Sequence, residues 1–185
     1  MGLDMYLTAS RYIGGGWDHA ADADKKAFVE VLGVVGLERS QAENSVTVDV
    51  GVGYWRKANA IHAWFVRECQ GGVDECQKAS VDREKLQELR EVCSKVLASS
   101  VEVEGNVLEC VRFEPGKRAK RVYRAGKVVN DPSSAIELLP SQGGFFFGGT
   151  DYDEGYLQDL RDTIAICDKC LALPECWYFS YQSSW

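Results

Sequence analysis

The segment spanning residues 151–173 constrains this chain more than any other. Within it Leu157, Leu160, Ile164, Cys167 and Leu171 recur at i, i+3, i+7, i+10 and i+14. That spacing lays an apolar stripe along a helix, and such a stripe must be buried against another layer. Pro174 ends the helix, and the aromatic alternation of residues 177–181 reads as a strand. A second period-two run opens the chain, with Leu3, Met5 and Leu7 alternating against Asp4 and Tyr6 until Gly14-Gly15-Gly16 breaks it. A third strand is expected over residues 46–52, rich in β-branched side chains and closed by Gly51 and Gly53.

Helices are expected between these strands. Residues 22–32 form a short one with Phe28, Val31 and Leu32 inward, its end left open by Gly33 and Gly36. Residues 54–68 form another, with Tyr54, Ala58, Ile61 and Phe65 on its core stripe and Gly71-Gly72 beyond it. A third covers residues 81–98, with Ser80 as N-cap and Leu86, Leu89, Cys93, Val96 and Leu97 on its apolar side. Residues 101–129 return to strands, with turns expected at Gly105-Asn106 and Pro115-Gly116, and Pro132 and Pro140 bracket a connection. Repeats and long linkers are absent from the sequence. The expectation is one α+β domain over residues 1–185, a mainly antiparallel sheet packed with about three helices.

Charge narrows the function classes. With 21 Lys and Arg against 28 Asp and Glu the net charge is −7, which disfavours a general nucleic-acid binder. One segment departs from that average: residues 111–130 carry seven bases and one acid, so +6 sits there and −13 on the rest of the chain. No apolar run approaches the ~18 residues of a membrane helix, so no membrane partner is expected. The first residues lack the basic head and apolar core of a secretory signal, and a cytosolic address is expected. The seven cysteines then read as reduced thiols.

On the helical wheel of residues 54–68, Trp55, Asn59, His62 and Val66 lie at the edge of the core stripe. An aromatic plane, an amide and an imidazole in that order suit one wall of a pocket for a base, sugar or phosphate. The alternative is a boundary histidine satisfied by a carbonyl and a tryptophan packed under a loop. Arg56 is assigned to solvent and Lys57 to the flank of the core. A second candidate is the run of residues 141–150, in which aromatics reading as a strand lead into Gly148-Gly149-Thr150 and a helix start. Glycine amides and a helix N-terminus favour anions, although Asp151, Asp153 and Glu154 crowd that terminus. The plain alternative is Thr150 or Asp151 as N-cap.

Cys167, Cys170 and Cys176 have a zinc-like spacing, but Cys167 falls in an apolar stripe, and no metal or cofactor is expected. Neither histidine has a nucleophile partner evident in sequence, so no catalytic residue is assigned. The basic stretch reads as a hairpin with one charged face or as a solvated edge that deters aggregation.

Several blocks carry a resemblance: the opening Met1-Gly-Leu-Asp-Met-Tyr-Leu7, Tyr54-Trp-Arg-Lys-Ala-Asn-Ala-Ile-His-Ala-Trp-Phe65, Gly72-Val-Asp74, Leu138-Leu-Pro-Ser-Gln142, Gly144-Phe-Phe-Phe-Gly148, Tyr152-Asp-Glu154 and Tyr181-Gln-Ser-Ser-Trp185. They resemble a widespread family of small proteins encoded by bacteriophages, prophages and some bacterial genomes. Residues 11–45 and 101–130 lie outside it. The resemblance implies a phage-linked setting in the host cytosol and carries over no mechanism. In that setting the residues suggest a non-catalytic protein that sequesters a small phosphate-bearing or nucleotide ligand, possible relief from a nucleotide-signalling defence. Trp55 and Tyr152 would stack, Asn59 and Gln142 hydrogen-bond, His62 or Lys57 meet phosphate, and Gly148, Gly149 and Thr150 complete a cradle. Two alternatives stay open: a module that inhibits a host protein, steered by its acidity to a basic partner, and a nucleotide-processing enzyme. Self-association also stays open. Trp185 is expected to cover a pocket or plug the core.

Overall fold

Strand β1 (Asp4–Ile13) is the organising element, paired antiparallel with β2 (Val46–Arg56) on one side and β6 (Tyr178–Ser184) on the other. The computed structural model describes residues 2–112, 116, 118–144 and 147–185. The short β3 (Ala79–Val81) adds outside β6, giving the order β2-β1-β6-β3. Period-two alternation sends Leu3, Met5, Leu7 and Ala9 inward, where they join Val52, Trp55, Phe179 and Tyr181 in the main core. Register puts Tyr6 beside Tyr54 and Ser10 beside Tyr178 on the opposite face, where the tyrosines are exposed.

Helices α2 (Asn59–Cys69), α3 (Arg83–Ser99) and α5 (Glu154–Leu171) supply the rest of that core through Ile61, Phe65, Leu86, Leu89, Cys93, Leu157, Leu160 and Cys167. A smaller cluster of Ile13, Phe28 and Leu32 forms under α1 (Asp22–Val35), which runs through Gly33 and ends where Gly36 takes φ +72°. A two-stranded ribbon of β4 (Glu102–Arg112) and β5 (Lys120–Val129) follows, and a short helix α4 (Ser133–Leu138) leads to the loop before α5. The fold is α+β with antiparallel pairing in both sheets, as expected.

Four local expectations are corrected. Residues 54–56 belong to β2 and not to the helix; the strand ends where Lys57 turns into the left-handed region at φ +61°, and Tyr54 is 53% exposed. The N-cap of α3 is Asp82, because Ser80 is held in β3 against Ser180. The N-cap of α5 is Asp153, whose carboxylate accepts from the N–H groups of Gly155 and Tyr156. Gly105-Asn106 is not a turn: Gly105 faces Gly126 inside the ribbon, where a methyl at 105 would meet the Val128 side chain at 2.6 Å. Pro115 and Lys117 of the basic stretch, and Phe145 and Phe146 of the expected aromatic strand, lie outside the described residues.

Candidate functional site

The left-handed residue at the end of β2 sets the site. Lys57 donates its N–H to the Leu3 carbonyl at 2.8 Å and accepts from the Asn59 N–H at 2.8 Å, so the chain turns sharply from sheet into α2. Asn59, the first residue of that helix, directs its side chain at the loop between α4 and α5. Its Nδ2 donates to the carbonyls of Phe147 (3.0 Å) and Gly149 (2.7 Å), and its Oδ1 accepts from the Gln142 N–H at 2.9 Å. One 5%-exposed amide therefore fixes both ends of residues 142–149. Gly148, at φ +88°, lies against Lys57, where an added methyl would come within 3.1 Å of the Lys57 Cβ. Ser141 and Tyr152 close the loop: the Tyr152 hydroxyl accepts from the Ser141 N–H, and the Ser141 hydroxyl donates to the Thr150 carbonyl.

A cleft of about 270 Å³ opens beside this clasp. Arg56, Lys57, Asp151, Asp153 and Asp159 line it, together with Ser141, Gly149, Tyr156 and Leu108. Gly148, Gly149 and Thr150 are exposed, and their N–H groups have no hydrogen-bond partner among the described residues. Neither Arg56 nor Lys57 is paired with a carboxylate among the described residues. The acidic residues of the lining differ in state. The Asp153 carboxylate caps α5, whereas burial, with the Asp162 and Asp153 charges behind it, pushes the Asp159 carboxyl up to about 7. Burial also raises the Tyr156 hydroxyl, which donates to the Leu139 carbonyl.

No family model, curated protein or solved structure matches this chain.

Lys57, Asn59, Gln142, Gly148, Gly149, Thr150 and Tyr152 lie together around this loop, with Gln142 contributing its backbone and Tyr152 its hydroxyl. Trp55 and His62 are not in that group. Trp55 is 4% exposed on β2, and its indole N–H donates to the Thr163 hydroxyl of α5 at 2.9 Å. His62 is fully buried, bonded through Nδ1 to the Tyr181 hydroxyl at 2.7 Å and through Nε2 to Asp74 Oδ2 at 2.9 Å. Because an ionised carboxylate only accepts, Nε2 carries a proton; in the neutral ring Nδ1 accepts from Tyr181. The expected stack of Trp55, Asn59 and His62 rested on continuous helical periodicity, which the break at Lys57 removes.

Trp185 is 44% exposed: its indole N–H donates to Asp74 Oδ1 at 3.2 Å and its ring meets the edge of Phe147. It is thus a partly exposed strut and not a core plug. The cysteines at 167 and 170 are buried in the core, and burial pushes their thiols up to about 12 and about 11. Cys176 is exposed. No cluster of three potential metal ligands occurs among the described residues.

Arg56 is exposed, in line with its assignment to solvent, and also borders the cleft, whereas Asp159 was not selected from the sequence. Arg56 reaches the cleft because it ends a strand; its helical wheel position was irrelevant. Asp159 had a weak signal: it precedes the core residue Leu160 and lies four residues before the buried Thr163, so it falls at the margin of the buried face.

Proposed function

We propose that this protein is a non-catalytic binding module for a small phosphate-bearing ligand of nucleotide or sugar-phosphate type, held in the cleft beside the Asn59 clasp. The observation that carries the reading is that Gly149, whose N–H has no partner among the described residues, lines one cleft with Arg56 and Lys57, two cations that lack a carboxylate partner among the described residues. Backbone amides and a guanidinium or ammonium together form strong, charge-assisted bonds to phosphate oxygens. In the same lining, Asp151 is an acceptor for ligand hydroxyl or amino groups, and Asp159, its carboxyl raised to about 7, either accepts or donates. Drug-sized ligands fill pockets of roughly 300–1,000 Å³, so this smaller volume suits a mononucleotide or sugar phosphate. In the phage-linked setting that the sequence resemblance implies, stoichiometric capture of such a molecule would counter a nucleotide signal.

Isothermal titration with AMP, adenosine and ribose 5-phosphate tests this. Phosphate-bearing probes should bind and adenosine should bind at least tenfold more weakly. Arg56→Ala should cost about 10- to 100-fold in AMP affinity, the equivalent of one charge-assisted hydrogen bond. Equal affinity for AMP and adenosine, or none for any phosphate probe, would sink the reading.

A second reading rests on the exposed sheet face, where Tyr6 and Tyr54 lie with ring centroids 5.5 Å apart and Tyr178 follows along β6. Tyrosine is enriched at protein interfaces, so this face suits a protein partner if no metabolite binds.

A further inference from the structure

We propose that the β4–β5 ribbon is a binding arm for duplex DNA, which docks through the phosphates and the major groove. The last buried residue of β4 is Val107; beyond it Glu109, Cys110, Val111 and Arg112 are exposed, as are Arg118, Lys120, Arg121 and Tyr123 on the returning side. The five residues from Leu108 to Arg112 reach about 17 Å at ~3.4 Å per residue. Apolar burial does not explain an extension of this length.

The charge pattern points to an anion. Arg112 is directly opposite Lys120, and Val111 is opposite Arg121. Like charges on facing strands destabilise a ribbon, and an anion bridging Arg112 and Lys120 removes that cost. No carboxylate among the described residues pairs with Arg112, Lys120 or Arg121, whereas Arg124 nearer the base is bound to Glu154 at 2.6 Å. Arg124 is thus neutralised near the root of the arm, while Arg112, Lys120 and Arg121 stay exposed without a carboxylate partner among the described residues. Elsewhere the chain is strongly acidic, which excludes flat docking of the whole molecule on a polyanion. The ~17 Å from Leu108 to Arg112 puts Arg112 and Lys120 beyond the Debye length of ~8–10 Å, so the body's repulsion is largely screened there.

Geometry selects the polyanion. A two-stranded ribbon fits the ~12 Å major groove of B-form DNA, whereas the major groove of RNA duplexes is too deep and narrow for side chains. Binding single strands relies on successive stacking aromatics, and the described part of the arm offers Tyr123 alone. This inference is independent of the ligand cleft.

Fluorescence anisotropy of the full chain with a labelled 24-base-pair duplex at 50–200 mM salt tests it. Binding in the ~1–100 µM range at 50 mM salt is expected, with log affinity falling by about 3–4 per log unit of salt, the signature of about four phosphate contacts. R112E/K120E/R121E should lose at least tenfold at 50 mM salt with an unchanged melting temperature. Should that variant fail to fold, R112Q/K120Q/R121Q should lower the salt slope by about 2–3. The proposal is overturned by no binding at 50 mM salt, by folded variants that bind as the parent does, or by a single-stranded 24-mer binding as tightly as the duplex. Polyglutamate binding as tightly as DNA would overturn it in favour of an acidic protein partner.

Discussion

Asp159 and Asn59 both line the cleft and obey different physics. Asp159 has a carboxyl raised to about 7, first by burial and then by the charges of Asp162 and Asp153. The folded state therefore holds this proton more tightly than the unfolded chain does. The resulting stabilisation is full below pH ~4, the carboxyl's ordinary range, and is lost as pH rises through about 7. Asp159→Asn should thus change the melting temperature little at pH 4 and raise it relative to the parent at pH 8. Melting curves of both proteins at the two pH values check this, and a parallel offset at both would show that the carboxyl is not shifted. Asn59 is structural in the free protein: its amide satisfies two carbonyls and one N–H that the loop cannot satisfy internally. Removing it strands the buried Phe147 carbonyl, so Asn59→Ala should cost about 1–3 kcal/mol in urea unfolding. It should also abolish binding of AMP by releasing the loop.

At the scale of elements, the turn from β2 into α2 shows what was legible in the sequence. The buried stripe Ala58, Ile61 and Phe65 was readable because helical spacing continues through α2. Extending it back to Tyr54 failed because i−4 from Ala58 satisfies a helix and residue 54 equally satisfies a strand; the left-handed Lys57 that separates them leaves no mark on periodicity. Similarly, the Gly-rich loop and Asn59 were both singled out, but their contact spans more than 80 residues and no local pattern encodes it. The partners of His62 come from the same kind of long-range closure, through Asp74 and Tyr181. Lys57 offers a separation of fold from function. A non-glycine residue in the left-handed region costs roughly 1–2 kcal/mol, and glycine removes that strain while adding chain entropy and losing side-chain packing. Lys57→Gly should therefore alter stability by no more than about 1 kcal/mol while weakening AMP binding at least tenfold. A large loss of stability with retained affinity would show that Lys57 serves the turn alone.

For the molecule as a whole, charge and apolar burial are partitioned between two bodies. The main core draws on β1, β2, α2, β3, α3, α5 and β6, with Val129 its contribution from the ribbon, and the smaller cluster lies under α1. The distal ribbon holds neither core, yet it contains most of the basic segment. A part that contributes charge without burial should be removable. Val107 and Arg124 are directly paired, so replacing residues 108–123 with Asn-Gly closes the strands by a two-residue turn of the type such hairpins favour. The excised protein should keep its cooperative unfolding and lie within about 4 °C of the parent melting temperature, equivalent to about 1 kcal/mol in a chain of this size. Its net charge becomes more negative, so added salt should stabilise it more than the parent, by screening a self-repulsion the basic arm otherwise offsets. Calorimetry at 50 and 300 mM salt measures both effects together. Loss of cooperative unfolding would place the ribbon within the folding unit, and an identical salt response would show that its charges are already neutralised by the body.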